Sequence, residues 1–174
     1  MDLDDLDVLL EDAHDVLRVE TLDAYAVRAD VGDVDRYLRG DPPASAAQPA
    51  WVEAVGDAVA RGLRRRRLRL VPRPVPYYVR FSCAWRYTAT TARGEEVAVL
   101  DQRRDPPAFA WARSLGDLYR VDDRTVFLEH DALGRLVRAF EPATDADATT
   151  WLPLADQWQV AEPFTPWWAA ESAR

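Results

Sequence analysis

The residues able to do chemistry are few. His14 and His130 are the only histidines and Cys83 the only cysteine. No pair has the spacing of a zinc site, and neither H-E-x-x-H nor C-x-x-C occurs. None of Ser45, Ser82, Ser114 and Ser172 sits in G-x-S-x-G. A lysine-bearing phosphate loop is impossible in a chain without lysine. Asp123, Glu129 and Asp131 fall along one hairpin and could hold magnesium through carboxylates alone. Turn acids are far more often solvated, so neither a metal nor a cofactor is expected. His130 is the best acid/base candidate, because a half-exposed strand histidine titrates near neutrality. Flanked by Glu129 and Asp131, it reads more simply as a surface residue, and Cys83 among aromatics reads as inert packing. No catalytic residue is assigned, and the sequence leans away from an enzyme.

Arginine is the conspicuous residue. "RGLRRRRLRLVPRP", residues 61–74, carries seven arginines between Arg61 and Arg73. Lysine, isoleucine and asparagine are all absent, the mark of GC-rich coding, so every cation here is an arginine whatever its task. Net charge is −11 over residues 1–60, +9 over 61–86 and −6 over 87–174. A basic block between two acidic ones is expected to be neutralised inside its own fold, which makes nucleic acid an unlikely partner. The block reads as a junction, with arginines in a last helical turn and then a strand from Arg67. Arg64, Arg65 and Arg66 stay candidates for an acidic protein partner. Phe164, Trp167 and Trp168, in a proline-broken tail, either fold back over the sheet or anchor a partner. Aromatics after the prolines sit beside arginines, so Tyr78, Arg80, Trp85 and Arg86 are candidates for lining a pocket for an anionic ligand.

The elements that must position these residues follow from periodicity. Residues 3–15 place leucines at helical spacing behind an acidic face. "DVLRVETLDAYAV" is extended. Asp33 is read as the cap of a short helix ending at Gly40, and "DPPASAAQP" as a loop. A helix starts near Pro49 and runs to about residue 63, with Trp51, Val55, Ala58, Val59 and Leu63 inward. "YYVRFSCAWRYTAT" fits both a strand and a helical face. "RGEEVAVLDQ" is a turn and a strand. Leu118–Val121, Thr125–Glu129 and Leu136–Phe140 form an antiparallel meander. Asp145 or Asp147 opens a final helix over about 147–160, with Trp151 and Trp158 on one face. The expectation is one α+β domain over 1–174, with an acidic portion 1–48, a Pro/Trp tail 162–174, and a mainly antiparallel sheet packed on one face against the helices.

At 174 residues the chain buries roughly two-thirds of its unfolded surface. No apolar run approaches a membrane span, the acidic start lacks the basic head of a signal peptide, and one cysteine makes no internal disulfide. A cytoplasmic protein without membrane attachment is therefore expected.

Several fragments carry a resemblance: "RVETLDAYAV", "YLRGDPP", "RGLRRRRLRLVPRPVPYYVRFSCAW", "RGEEVAVLD" and "LYRVDDRTVFLEHDALGRLVRAF". Together they resemble an uncharacterised family of actinobacterial cytoplasmic domains, often encoded beside helix-turn-helix regulators. The resemblance implies a helical segment after the prolines, recurring positions at Glu20, Tyr25, Gly94 and Glu95, and a regulatory, partner-binding role. It assigns no catalytic residue. "HDALGRLVRAF" is also similar to one YD repeat, but a lone unit buries no face of its own and reads as a hairpin turn at Gly134. The leading expectation is a non-catalytic partner of a helix-turn-helix regulator. The alternative is a small-molecule-binding or catalytic domain of specialised metabolism with an aromatic, arginine-lined pocket. The oligomeric state is left open.

Overall fold

In the computed structural model, which describes residues 3–27, 30–43, 50–142 and 146–173, the alternating stretches assemble into one sheet. Strands β1 (Asp15–Glu20), β2 (Arg64–Val71) and β3 (Glu96–Asp101) are parallel neighbours. The meander is β4 (Asp117–Val121), β5 (Arg124–His130) and β6 (Leu136–Phe140), and β4 adds antiparallel to β1. The two-residue β7 (Glu162–Pro163) pairs antiparallel with β3, giving the order β6-β5-β4-β1-β2-β3-β7. Four of the six pairings are antiparallel, within a single α+β domain.

Parallel neighbours need crossovers, and helices supply them. Between β1 and β2 come α2 (Val31–Leu38) and α3 (Ala50–Ala60). Between β2 and β3 come α4 (Tyr77–Phe81), a π-helical stretch (Ser82–Tyr87) and α5 (Thr88–Thr91). Successive strand side chains point to opposite faces. On one face Leu17, Val19, Leu68, Leu70, Ala98 and Leu100 meet α6 (Pro106–Leu115) and α7 (Ala146–Val160). On the other, Val71, Val97 and Val99 meet Val79, Cys83 and Tyr87, and Phe164 and Trp167 of α8 (Phe164–Ser172). Further along that second face, Leu6 of α1 (Leu3–Glu11) packs with Val126, Leu128 and Ala139. The helices thus cover both faces rather than the expected one. The parallel trio explains this, because crossovers shield one side while α6 and α7 shield the other.

Local chemistry accounts for the remaining departures. Helix α3 stops at Ala60, and Gly62, at φ +100°, donates to the Val59 carbonyl while Leu63 donates to that of Ala58. This left-handed cap ends the helix early. Arg64, Arg65 and Arg66 therefore belong to β2 and not to a last helical turn. The buried face of α3 is Val52 and Val55, with Trp51 turned outward. Pro49, expected at its start, lies outside the described residues.

The ambiguous aromatic segment is helical, as the resemblance implied. Its π-turn widens the repeat so that Ser82, Cys83 and Tyr87 are all buried, a spacing an ordinary helix turn would spread apart. Helix α2 opens at Asp30 and not at Asp33. Helix α6 was not anticipated, though Asp105 accepts from the Ala108 amide at 2.9 Å and prolines follow at once, a plain start signal. In α7 Leu154 is buried and Trp158 packs on the core; the Trp151 side chain and Asp145 lie outside what is described. No helix among the described residues is long and apolar enough to cross a membrane.

Candidate functional site

Between β1 and β2 the second face carries charge where a core would carry hydrocarbon. The registers Arg18↔Arg67 and Glu20↔Arg69 place these four side chains together. All are essentially covered, and Arg69 is fully buried. Like-charged arginines on adjacent strands repel, so the arrangement demands carboxylates. Glu20 accepts from Arg67 Nη1 at very short range and, through its other oxygen, from the Tyr87 hydroxyl. Glu95, on the turn entering β3, accepts from Arg67 Nη2 at 3.0 Å and Arg65 Nε at 3.2 Å. Arg18 donates to Asp117 at 2.7 Å, and Asp117 also accepts from Thr21 and, at 2.6 Å, from the Tyr25 hydroxyl. Asp30 accepts from the Tyr78 hydroxyl at 2.6 Å and pairs with Arg86.

These partners fix the protonation states. Burial alone would push the Glu20 carboxyl up, but Arg67, Arg18 and Arg69 outweigh it and hold it at about 2. Glu95 is likewise held below the usual range by Arg67 and Arg65 against its burial. Burial, reinforced by Glu20, raises the phenols of Tyr25, Tyr78 and Tyr87. The tyrosines therefore stay protonated and act as hydrogen-bond donors, while the carboxylates stay charged.

A pocket of about 110 Å³ opens into this network, lined by Glu20, Tyr25, Trp51, Arg67, Tyr78, Ser82, Arg86, Tyr87 and Thr90. Among its lining residues only Trp51, at 36 % exposure, is open to solvent. Five parts of the chain build it, Trp51 of α3 among them. Glu20 ends β1 and Arg67 lies in β2, while the helical stretch from Tyr78 to Thr90 forms the wall. The segment bearing Tyr25 is held by the β5–β6 turn, where Gly134 accepts from the Ala26 amide at 3.0 Å. A Cβ on Gly134, at φ +78°, would stand 2.7 Å from the Ala24 oxygen, so only glycine permits this approach.

Two of the ligand candidates read from the sequence, Tyr78 and Arg86, line this pocket. Arg80 is exposed, and Trp85 packs edge-on to Tyr37 and Phe81. Of the partner candidates, Arg64 is bound to Glu96 and Arg65 to Glu95. Arg66 is bound to Asp15 and lies 5.5 Å from the Trp158 ring centre. Phe164 and Trp167 are buried in the chain's own core, Trp167 donating to Asp101 at 3.1 Å, and Trp168 stacks beside them. Helix α8 is held there by Glu171, which accepts from Arg73 at 2.6 Å and Arg103 at 3.0 Å. His130 lies edge-on to Tyr25 at 5.4 Å, and burial lowers its pKa. Cys83 is buried, its thiol pushed up to about 12 by that burial. Glu129 pairs with Arg138 and Asp131 with Arg135, and no metal-holding group of three occurs among the described residues.

Reading the residues alone did not name Glu20, Tyr25, Trp51, Arg67, Ser82, Tyr87 or Thr90 as pocket lining. The available signal was charge alternating with buried hydrocarbon, Arg18 and Glu20 against Leu17 and Val19 in β1, and Arg67 and Arg69 against Leu68 and Leu70 in β2. Of the positions tied to the resemblance, Glu20 and Tyr25 line the pocket and Glu95 shares Arg67 with Glu20. Gly94, at φ +94° with Val59 2.9 Å from where its Cβ would stand, sets the turn that delivers Glu95.

Residues 4–169 match the family model described as "Domain of unknown function (DUF6879)", and the chain belongs to that family. Neither the comparison with curated proteins nor that with solved structures gives a match.

Proposed function

We propose that this domain binds a small molecule in the pocket over Glu20 and Arg67. The observation that carries the reading is a cavity of about 110 Å³ whose lining is polar and otherwise sequestered. Protein interiors are close-packed, and space left among buried charges is characteristic of a site shaped for an occupant. The fixed protonation states favour binding over proton transfer: charged carboxylates, neutral phenols and arginines present fixed donors and acceptors, and none titrates near neutrality. The experiment is a fragment screen read by amide NMR. Hits should shift Tyr25, Tyr78, Ser82 and Tyr87 together; hits scattered over the surface, sparing all four, overturn the reading.

Such a module suits a cytoplasmic protein that reports a metabolite to a regulator. The support for that use is the resemblance to domains encoded beside helix-turn-helix regulators. Copurification with the neighbouring regulator tests it, and no association at micromolar concentration overturns it.

A further inference from the structure

The arginine block is neutralised within the fold by Asp15, Glu20, Glu95 and Glu96; the acids of the first helix are not. Residues 3–12 carry five acids and no base. Asp7, Glu11 and Asp12 are exposed, and their carboxylates have no ion-pair partner among the described residues. Early acids suit a helix dipole, but Glu11 and Asp12 stand at the negative end of α1, whose last turn has no base. Asp7 and Glu11 are also like charges at i, i+4. Both placements work against the helix that bears them, and nothing among the described residues compensates. A local rule broken without an internal gain marks positions held for an outside partner.

Between these acids α1 turns hydrocarbon outward. Its inner side sets Leu6, Leu9 and Leu10 on Val126, Leu128 and Ala139, yet Val8 is 60 % exposed. Val8 and Leu9 line an open groove of about 630 Å³ together with Asp5, Asp12 and, from β5, Arg124. Arg124 does not offset the two acids, because its Nε and Nη2 hold Glu141. The helical repeat puts Asp7 and Glu11 on one flank of Val8 and Asp5 and Asp12 on the other. The Asp12 amide donates to the Val8 carbonyl at 3.3 Å and so keeps Asp12 in that row. Charge selects the occupant. Nucleic acid and an anionic membrane are repelled, and a second copy brings the same acids to the contact. A cationic segment with an apolar side matches both the carboxylates and the groove.

We infer that the groove over Val8 and Leu9 docks a basic, amphipathic segment of a protein partner. Its apolar side chains rest on Val8 and Leu9, and its cations face Asp5, Asp7, Glu11 and Asp12. The pocket over Glu20 and Arg67 takes no part, so the two readings fail separately. The probe is a synthetic amphipathic peptide of leucine and arginine, titrated into the full chain and followed by amide NMR. The same peptide with glutamate for arginine, and spermine, are titrated beside it. The arginine peptide should shift Val8, Leu9, Asp12 and Arg124, and its affinity should fall several-fold between low and physiological salt. Glu11→Lys supplies the base that the last turn lacks, so it should hold or raise Tm while weakening the peptide about tenfold. Val8→Ser, at a side chain already in water, should fold normally and weaken the peptide several-fold while leaving spermine unchanged. Equal binding of the glutamate peptide overturns the charge argument, and spermine binding as tightly as the arginine peptide overturns the apolar contact. A Glu11→Lys chain that binds undiminished, or no shift at those four amides with millimolar arginine peptide, overturns the docking surface itself.

Discussion

Replacing Arg67 by methionine, which keeps the length of the stem and removes the charge, tests the buried network at its centre. Arg67 is the shared cation of Glu20 and Glu95, whose side chains are 11 % and 0 % exposed. Its removal leaves two carboxylates in the interior with weaker support, Arg18 at 3.9 Å from Glu20 and Arg65 at 3.2 Å from Glu95. Breaking a buried ion pair from one side costs about 3–5 kcal/mol, which for a domain of this size lowers Tm by roughly 6–20 °C. Arg64, three residues earlier in the same strand, is the control: its pair with Glu96 is half-exposed on both sides, and Arg64→Met should cost no more than about 1 kcal/mol. Adding Glu20→Gln to Arg67→Met should recover part of the loss, since the stranded charge is then gone. Urea unfolding at pH 7 measures all three variants. Equal and small losses for Arg67→Met and Arg64→Met would show that the inner arginines are no better anchored than surface ones, and the reasoning would fall.

Three further outcomes follow from the same geometry. Glu20 is held at about 2 in the folded chain against an unfolded value near 4.5; its contribution is complete above the unfolded value and is lost as pH falls toward 2. Stability of the unaltered chain should therefore fall through that window more steeply than that of Glu20→Gln, by up to about 1.4 kcal/mol per pH unit, and parallel curves would contradict the assignment. Gly134→Ala forces a Cβ toward the Ala24 carbonyl and should destabilise by on the order of 1–3 kcal/mol while weakening any pocket ligand; an unchanged affinity would separate the Tyr25 segment from the site. The buried Cys83 thiol, pushed up to about 12, should resist iodoacetamide in the folded chain and react in urea, and fast labelling of the native protein would place it elsewhere.

The meander and the leucine-spaced first helix were legible because each is a local pattern: alternation in 118–140 and a three-four spacing in 3–10 need no distant partner to be recognised. The parallel pairing of β1, β2 and β3 was not, because it depends on crossovers and leaves near-continuous burial rather than clean alternation. Helix and strand competed at 77–88 because the π-turn satisfies neither period. Of the pocket's lining, Tyr78 and Arg86 were legible as candidates through the simple juxtaposition of aromatic and cation. Arg80 and Trp85, equally well placed in sequence, turn outward and sideways on the same helix. Glu20 and Arg67 stayed hidden because their partnership spans 47 residues and is created by strand register. The arginine run was read correctly as a junction, yet its partners lie across the sheet on β1, on β3 and on the turn before it, and not at a helix end.

The most direct measurement is a crystal structure of the chain soaked with small fragments. The account predicts a fragment in the space over Glu20 and Arg67, against Trp51 and Tyr78. Fragments bound only on the outer surface, with that space holding nothing but water, would contradict it.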